Sequence, residues 1–225
     1  MDKLKDNSKK YQEGKKGINT MKKNNERTTM RHYMKTSIFI LTISISSISF
    51  SQISKKNITF EQVGWTLALP ENFQVIDSSE SSKKVARGLK AMEESNDLKL
   101  YVSSTKTLFV GRINSGYFDA TLTPFNTDNE DFVATSAHSR EMLFKTFESK
   151  MPGTTVDSLL TTFLIDGLEF YKFQITALMD RKVLMTMVLL GRHSRGYNIN
   201  ISYLYRDQPT KEEIELCLRD SKFKK

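Results

Sequence analysis

Residues 197–205 alternate without a break, with Tyr197, Ile199, Ile201, Tyr203 and Tyr205 on one side and polar or smaller partners on the other. That is the period of a strand with one buried face. Before it, residues 183–190 are almost entirely apolar, as a central strand covered on both faces must be. Residues 168–178 carry Tyr171, Phe173 and Ile175 on one side, and 156–164 form another apolar run. Between them, Asp166-Gly167 is a tight-turn dipeptide, and Asp180-Arg181 and 191–196 mark further turns. Connections this short allow only antiparallel neighbours, so the C-terminal half must be a meander.

The N-terminal half mixes both periods. Trp65, Leu67 and Leu69 alternate up to Pro70, and 71–77 continue extended. After a polar break at 78–82, residues 83–94 read as an amphipathic helix with Val85, Leu89 and Met92 at i, i+4, i+7. Leu98, Leu100 and Val102 again suggest a strand, and 108–123 read as a hairpin around Asn114-Ser115-Gly116. A long helix capped by Asp128 or Asn129 runs to about residue 150, burying Phe132, Leu143, Phe144 and Phe147, and stops at Pro152-Gly153. Pro209-Thr210 opens a last helix over 211–221. Helices segregated around an antiparallel sheet define an α+β domain, and no internal repeat is present.

Residues 34–51 have another purpose. Lys35 is a short positive start, 38–48 are apolar with Ser and Thr interspersed, and Ser49 and Ser51 are small residues before Gln52. This is the layout of a secretory signal peptide, cleaved near Ser51-Gln52. The apolar run is shorter than the ~20 residues that span a bilayer, so no stable membrane span is expected after cleavage. No Cys follows the cut for a lipid anchor. Residues 1–33 are polar and basic and cannot build a core, which marks them as a disordered extension or an overlong reading of the gene.

The formal charge of +8 follows from this division. Residues 1–51 hold 11 Lys and Arg against 4 Asp and Glu, which leaves 52–225 at a net +1. Phosphate contacts need the charge on the folded domain, so nucleic acid is not an expected partner. Residues 52–225 fit one domain, large enough to bury a core without disulfides. Cys217, the only cysteine, follows Ile214 on one helix face and reads as a buried structural thiol.

Three local signatures resemble the PsbP-like fold: Gly64-Trp65-Thr66-Leu67-Ala68-Leu69-Pro70-Glu71-Asn72-Phe73, the helix end Met151-Pro152-Gly153, and Ile165-Asp166-Gly167-Leu168-Glu169-Phe170. That fold includes the extrinsic photosystem II subunit, a Ran-binding nuclear import factor and bacterial envelope proteins related to DcrB. The resemblance covers roughly residues 58–222 and implies an α/β/α sandwich, with helices on both faces of the sheet. Its members are mostly binding or assembly modules, so it implies no catalytic residue and does not transfer the photosystem role.

Chemistry-bearing residues are sparse. His138 has Met142 rather than a ligand four residues on, and Asp128, Glu130 and Asp131 lack calcium-loop spacing. His193 and Ser194 are adjacent and cannot face one another as base and nucleophile. No phosphate loop or dinucleotide fingerprint occurs, so no catalytic residue, metal or cofactor is expected. Two binding surfaces remain. Arg192, His193 and Arg195 form a basic turn suited to an anion or an acidic partner surface, against the alternative of a solvated hairpin tip. Tyr197, Tyr203 and Tyr205, with Tyr171 and Phe173, could line a groove for an apolar ligand, against the alternative of ordinary core packing. The expectation is an exported, periplasmic or secreted, non-enzymatic protein that binds a protein partner or takes part in envelope assembly. The alternative is a carrier of a small apolar ligand or lipid under the aromatic sheet face.

Overall fold

The computed structural model describes residues 57–100, 105–127 and 131–224. The basic residues 1–33, the expected signal segment 34–51, Val102, Asp128, Asn129 and Glu130 lie outside them. In chain order the described elements are β1 (Asn57–Phe60), β2 (Trp65–Ala68), β3 (Gln74–Val75), α1 (Ser78–Asn96), β4 (Lys106–Ile113) and β5 (Gly116–Pro124). Then come α2 (Phe132–Lys150), β6 (Thr155–Ile165), β7 (Leu168–Met179), β8 (Lys182–Ser194), β9 (Tyr197–Tyr205), α3 (Gln208–Asp220) and β10 (Lys222–Phe223).

Seven strands form one antiparallel sheet in the order β3-β4-β5-β9-β8-β7-β6. The meander read from the sequence is its larger part. Asp166-Gly167, Asp180-Arg181 and Arg195-Gly196 each join two strands through two residues of positive φ. Positive φ at both central positions matches the twist of paired strands, which is why such turns close hairpins. The third turn is shorter than expected, because 191–194 belong to β8 and pair with β9.

Cross-strand register gives the two faces of this sheet different coverings. One face carries Phe109, Phe118, Phe163, Phe170, Ile201 and Tyr203 in the main core. It is roofed by α3 and by the small sheet β1-β2-β10, a strand pair with a terminal strand that the sequence did not announce. Trp65 is fully buried there, stacked 5.8 Å from Phe223, and its Nε1 donates to Ser221 Oγ at 2.9 Å. Burying an aromatic of this size stabilises by about 1.5–3 kcal/mol. The other face lies under α2, which packs on β6, β7 and α1, with Leu143 against Phe173 and Ile175. The described domain is thus α+β with helices on both sides of an antiparallel sheet.

Three local expectations are corrected. Helix α1 begins at Ser78, because Asp77 accepts the Glu80 N–H at 2.9 Å, so the serine run is its first turn and not a break. Leu98 and Leu100 form no strand: Asp97 takes a left-handed C-cap, the Leu98 N–H reaches Glu93 O, and Leu100 N–H donates to Glu93 Oε1. Helix α2 is capped by Asp131, which accepts from Val133 and Ala134 N–H at 2.8 and 3.1 Å.

Candidate functional site

On the side of α2 that meets the sheet, Ser136, Ser139 and Leu143 recur at i, i+3, i+7 and are buried. Two serines are too short to fill the space that larger apolar side chains would occupy, and a cavity of about 60 Å³ remains beneath them. Its wall on β7 and β8 is Tyr171, Phe173, Met187 and Leu189. Its floor on β5 and β9 is Asp119, Thr121, Asn200 and Ser202. Thr105 and Thr123, joined through their hydroxyls at 3.0 Å, close the β4 side. Most of the surface presented to the cavity is apolar, so the polar groups are few and localised, as in small-molecule sites.

Asp119 dominates the electrostatics. It is 4% exposed, and Ser202 donates a hydrogen bond to its Oδ1. No Lys, Arg or His among the described residues forms an ion pair with it. Burial pushes its carboxyl up to about 7, with the Ser202 bond opposing the rise. Burial, and then the charge of Asp119, raise the neighbouring Tyr117 hydroxyl as well. Asn200 Oδ1 is buried without a donor. Arg140, also at the cavity, donates to Ser136 Oγ at 3.2 Å and is held below its ordinary value by burial. The site can therefore bind through hydrogen bonds and charge. Its one hydroxyl–carboxylate contact is Ser202 on Asp119, and among the described residues no group of three or more His, Cys, Asp and Glu is placed to hold a metal.

The residues singled out in the sequence are distributed differently. Arg192 and His193 are successive residues of β8 and face opposite sides of the sheet. Arg192 Nη1 donates to the Glu169 carbonyl at 2.6 Å, and its guanidinium lies over Phe170. His193 packs on Phe125 at 4.9 Å, with Nδ1 3.4 Å from Asn198 Oδ1. Arg195 Nη2 donates to the Lys224 carbonyl at 2.7 Å. These three side chains tie strands together and do not form one basic surface.

The aromatic stripe is divided between the faces. Tyr203 is buried in the main core and its hydroxyl donates to Glu215 at 3.0 Å, Tyr205 stacks beside it at 6.2 Å, and Tyr197 packs on the same core. Only Tyr171 and Phe173 reach the cavity. His138 and Glu141 are exposed on α2, and Asp131 is occupied as its cap.

Asp119, Thr121, Asn200, Ser202, Ser136 and Ser139 were not anticipated as a site. Their signal was present in outline: Tyr117, Asp119, Thr121 and Thr123 alternate along β5, as do Asn198, Asn200 and Ser202 along β9. Alternation of that kind marks a polar face, but whether water or a helix covers it depends on tertiary packing.

No family model and no curated protein matches the chain. Among solved structures, it is similar to the solution structure of cyanobacterial PsbP (CyanoP) from Synechocystis sp. PCC 6803, at 10% identity and a TM-score of 0.49, over 80% of this chain and 99% of that one. It is also similar to LpqN, involved in cell envelope biogenesis of Mycobacterium tuberculosis, at 9% identity and a TM-score of 0.42, over 76% of this chain and 90% of that one. Both likenesses concern the fold alone.

Proposed function

We propose that this is an exported, non-catalytic binding protein that holds a small ligand in the cavity between α2 and the sheet. The observation that carries the reading is the cavity itself, with apolar walls, a localised polar floor and a helix face of Ser136 and Ser139 that leaves it unfilled. Export rests on the layout of residues 34–51, and a chain beginning at Gln52 outside the cytoplasm is its expected signature. No helix among the described residues is long and apolar enough to cross a membrane.

Native mass spectrometry of the full-length gene product from its native host type tests the binding reading. A small-molecule adduct that is lost on unfolding, and absent from Ser139→Leu, is expected. If no adduct accompanies the wild-type protein and Ser139→Leu only raises stability, the cavity is a packing defect and the reading fails.

A second reading, docking of a protein partner, is favoured by β6. Among the described residues this outermost strand of 11 residues pairs on one side only, and Leu159, Leu160 and Leu164 are each more than half exposed. Long apolar edges of this kind accept an added strand. Crosslinking that captures a partner through wild-type β6 but not through Leu160→Pro would support it; equal capture by both would exclude this edge.

A further inference from the structure

We propose that the cavity floor receives the ammonium group of a small free primary amine, held by the Asp119 carboxylate and Asn200 Oδ1, with the alkyl part against Phe173, Met187 and Leu189. This rests on the reading of the cavity as a ligand site and specifies its ligand.

The argument begins with unsatisfied acceptors. A carboxylate offers about four lone-pair sites. Asp119 uses one of them, for Ser202, inside a sheet face closed by helices. An enclosed carboxylate without a counter-charge is costly, and Thr or Leu would pack the same position at no such cost. Asn200 Oδ1 is a second acceptor, a buried atom of a half-buried residue, with no donor. Register brings the two together: Asp119 pairs with Ser202, and Thr121 two residues on pairs with Asn200, so both acceptors lie on one face of adjacent strands.

Complementarity then selects the ligand. An ammonium has three donors and the charge that Asp119 lacks. A hydroxyl brings one donor and no charge. A carboxylate brings no donor and would be repelled by Asp119, so it could be held only at Arg140, whose Nη1 is already turned to Ser136 Oγ. The volume of about 60 Å³ lies well below the ~150 Å³ of a cavity that accepts benzene, which limits the enclosed part to a few carbon atoms. A free amine fits that space better than the headgroup of a large lipid.

The test titrates the full chain at about pH 8 with propylamine, 1-propanol and propionate, read by amide chemical shifts. Propylamine is expected to bind at least about tenfold tighter than 1-propanol, with propionate weakest. In Asp119→Asn the ratio of amine to alcohol affinity is expected to fall to near one. Equal binding of amine and alcohol by the wild-type protein would overturn the amine assignment while leaving a cavity ligand intact. Tightest binding of propionate would overturn it in favour of an anion at Arg140. Shifts with none of the three probes would remove the cavity reading itself. Vesicles containing phosphatidylethanolamine that displace propylamine would overturn the choice of a free amine.

Discussion

Replacing Asp119 by Asn should stabilise the protein in a pH-dependent way. The side chain keeps its shape and an acceptor for Ser202 but can carry no charge. Burial raises the Asp119 carboxyl from 3.8 to about 7, so the fold keeps a proton that the unfolded chain releases in that interval. Stability conferred by this group is therefore complete below about pH 4 and is lost as pH rises towards 7, because over that range the unfolded state binds fewer protons than the native state. At 1.36 kcal/mol per pH unit the loss reaches about 4 kcal/mol, a large part of the 5–15 kcal/mol typical of whole domains. The charged or titratable groups around Asp119 are Tyr117 on its own strand, with Glu80 and Lys84 of α1 about that ring, and Arg140 of α2 and Tyr171 of β7 at the cavity, none of them ion-paired with Asp119. All remain in the variant, and their effects cancel in the difference to first order. Urea titrations of both proteins at intervals from about pH 4 to pH 8 measure that difference. Expected is a variant nearly equal to wild type at the acid end and about 4 kcal/mol more stable at the alkaline end, with unchanged m values. A difference that stays flat with pH would show that Asp119 titrates as it does in the unfolded chain, and would refute the account of a buried, unpaired carboxyl.

Other perturbations test the covering of the opposite face and the packing of the strands. Glu215, 6% exposed, accepts from Tyr203 Oη, Lys172 Nζ and Arg219 Nη2, so Glu215→Ala should cost about 3–5 kcal/mol by leaving Lys172 without its buried partner. Tyr203→Phe removes one hydrogen bond to the same carboxylate and should cost about 1.5–3 kcal/mol; chemical denaturation that ranks the two the other way would contradict the network. A Cβ at Gly111 would collide with the Phe73 ring and the Gln74 carbonyl, so Gly111→Ala should lower stability by about 1–3 kcal/mol, against the neutral result expected of an open site. Burial pushes the Cys217 thiol up to about 12, and its Sγ lies 3.0 Å from the Ala68 carbonyl. Reaction with a disulfide reagent at about pH 8 should be slow in the native protein and fast once it is unfolded; an equally fast native reaction would make Cys217 an exposed thiol.

The sheet was legible because its information is local. Period-two alternation in 197–205 and the dipeptides Asp166-Gly167 and Asp180-Arg181 specify strands and tight turns without reference to the rest of the chain. Strands β1 and β10 were not legible for the opposite reason. They are short, and they exist through pairing with β2, where residues 222–223 meet residues 65–66 from the far end of the chain. The layout of the basic turn hinged on a single boundary: extending β8 to Ser194 puts Arg192 and His193 on opposite faces, because side-chain direction reverses at every residue of a strand.

The cavity was hidden by a similar ambiguity. Alternation reveals which face of a strand is polar, but not whether that face is wet. In β9 the polar face reads like a solvent face, yet Asn198 and Ser202 are buried because helices cover it. β8 shows what a sheet covered on both sides can use, with Val188 towards one layer and Leu189 towards the other. β5 and β9 lie under the same coverings and instead turn Asp119, Thr121, Asn200 and Ser202 inward, opposite two serines of α2. A core alone requires none of these groups, and each costs stability when its partners are missing. Their grouping at one place in an otherwise apolar layer is the structural reason to look for a ligand there.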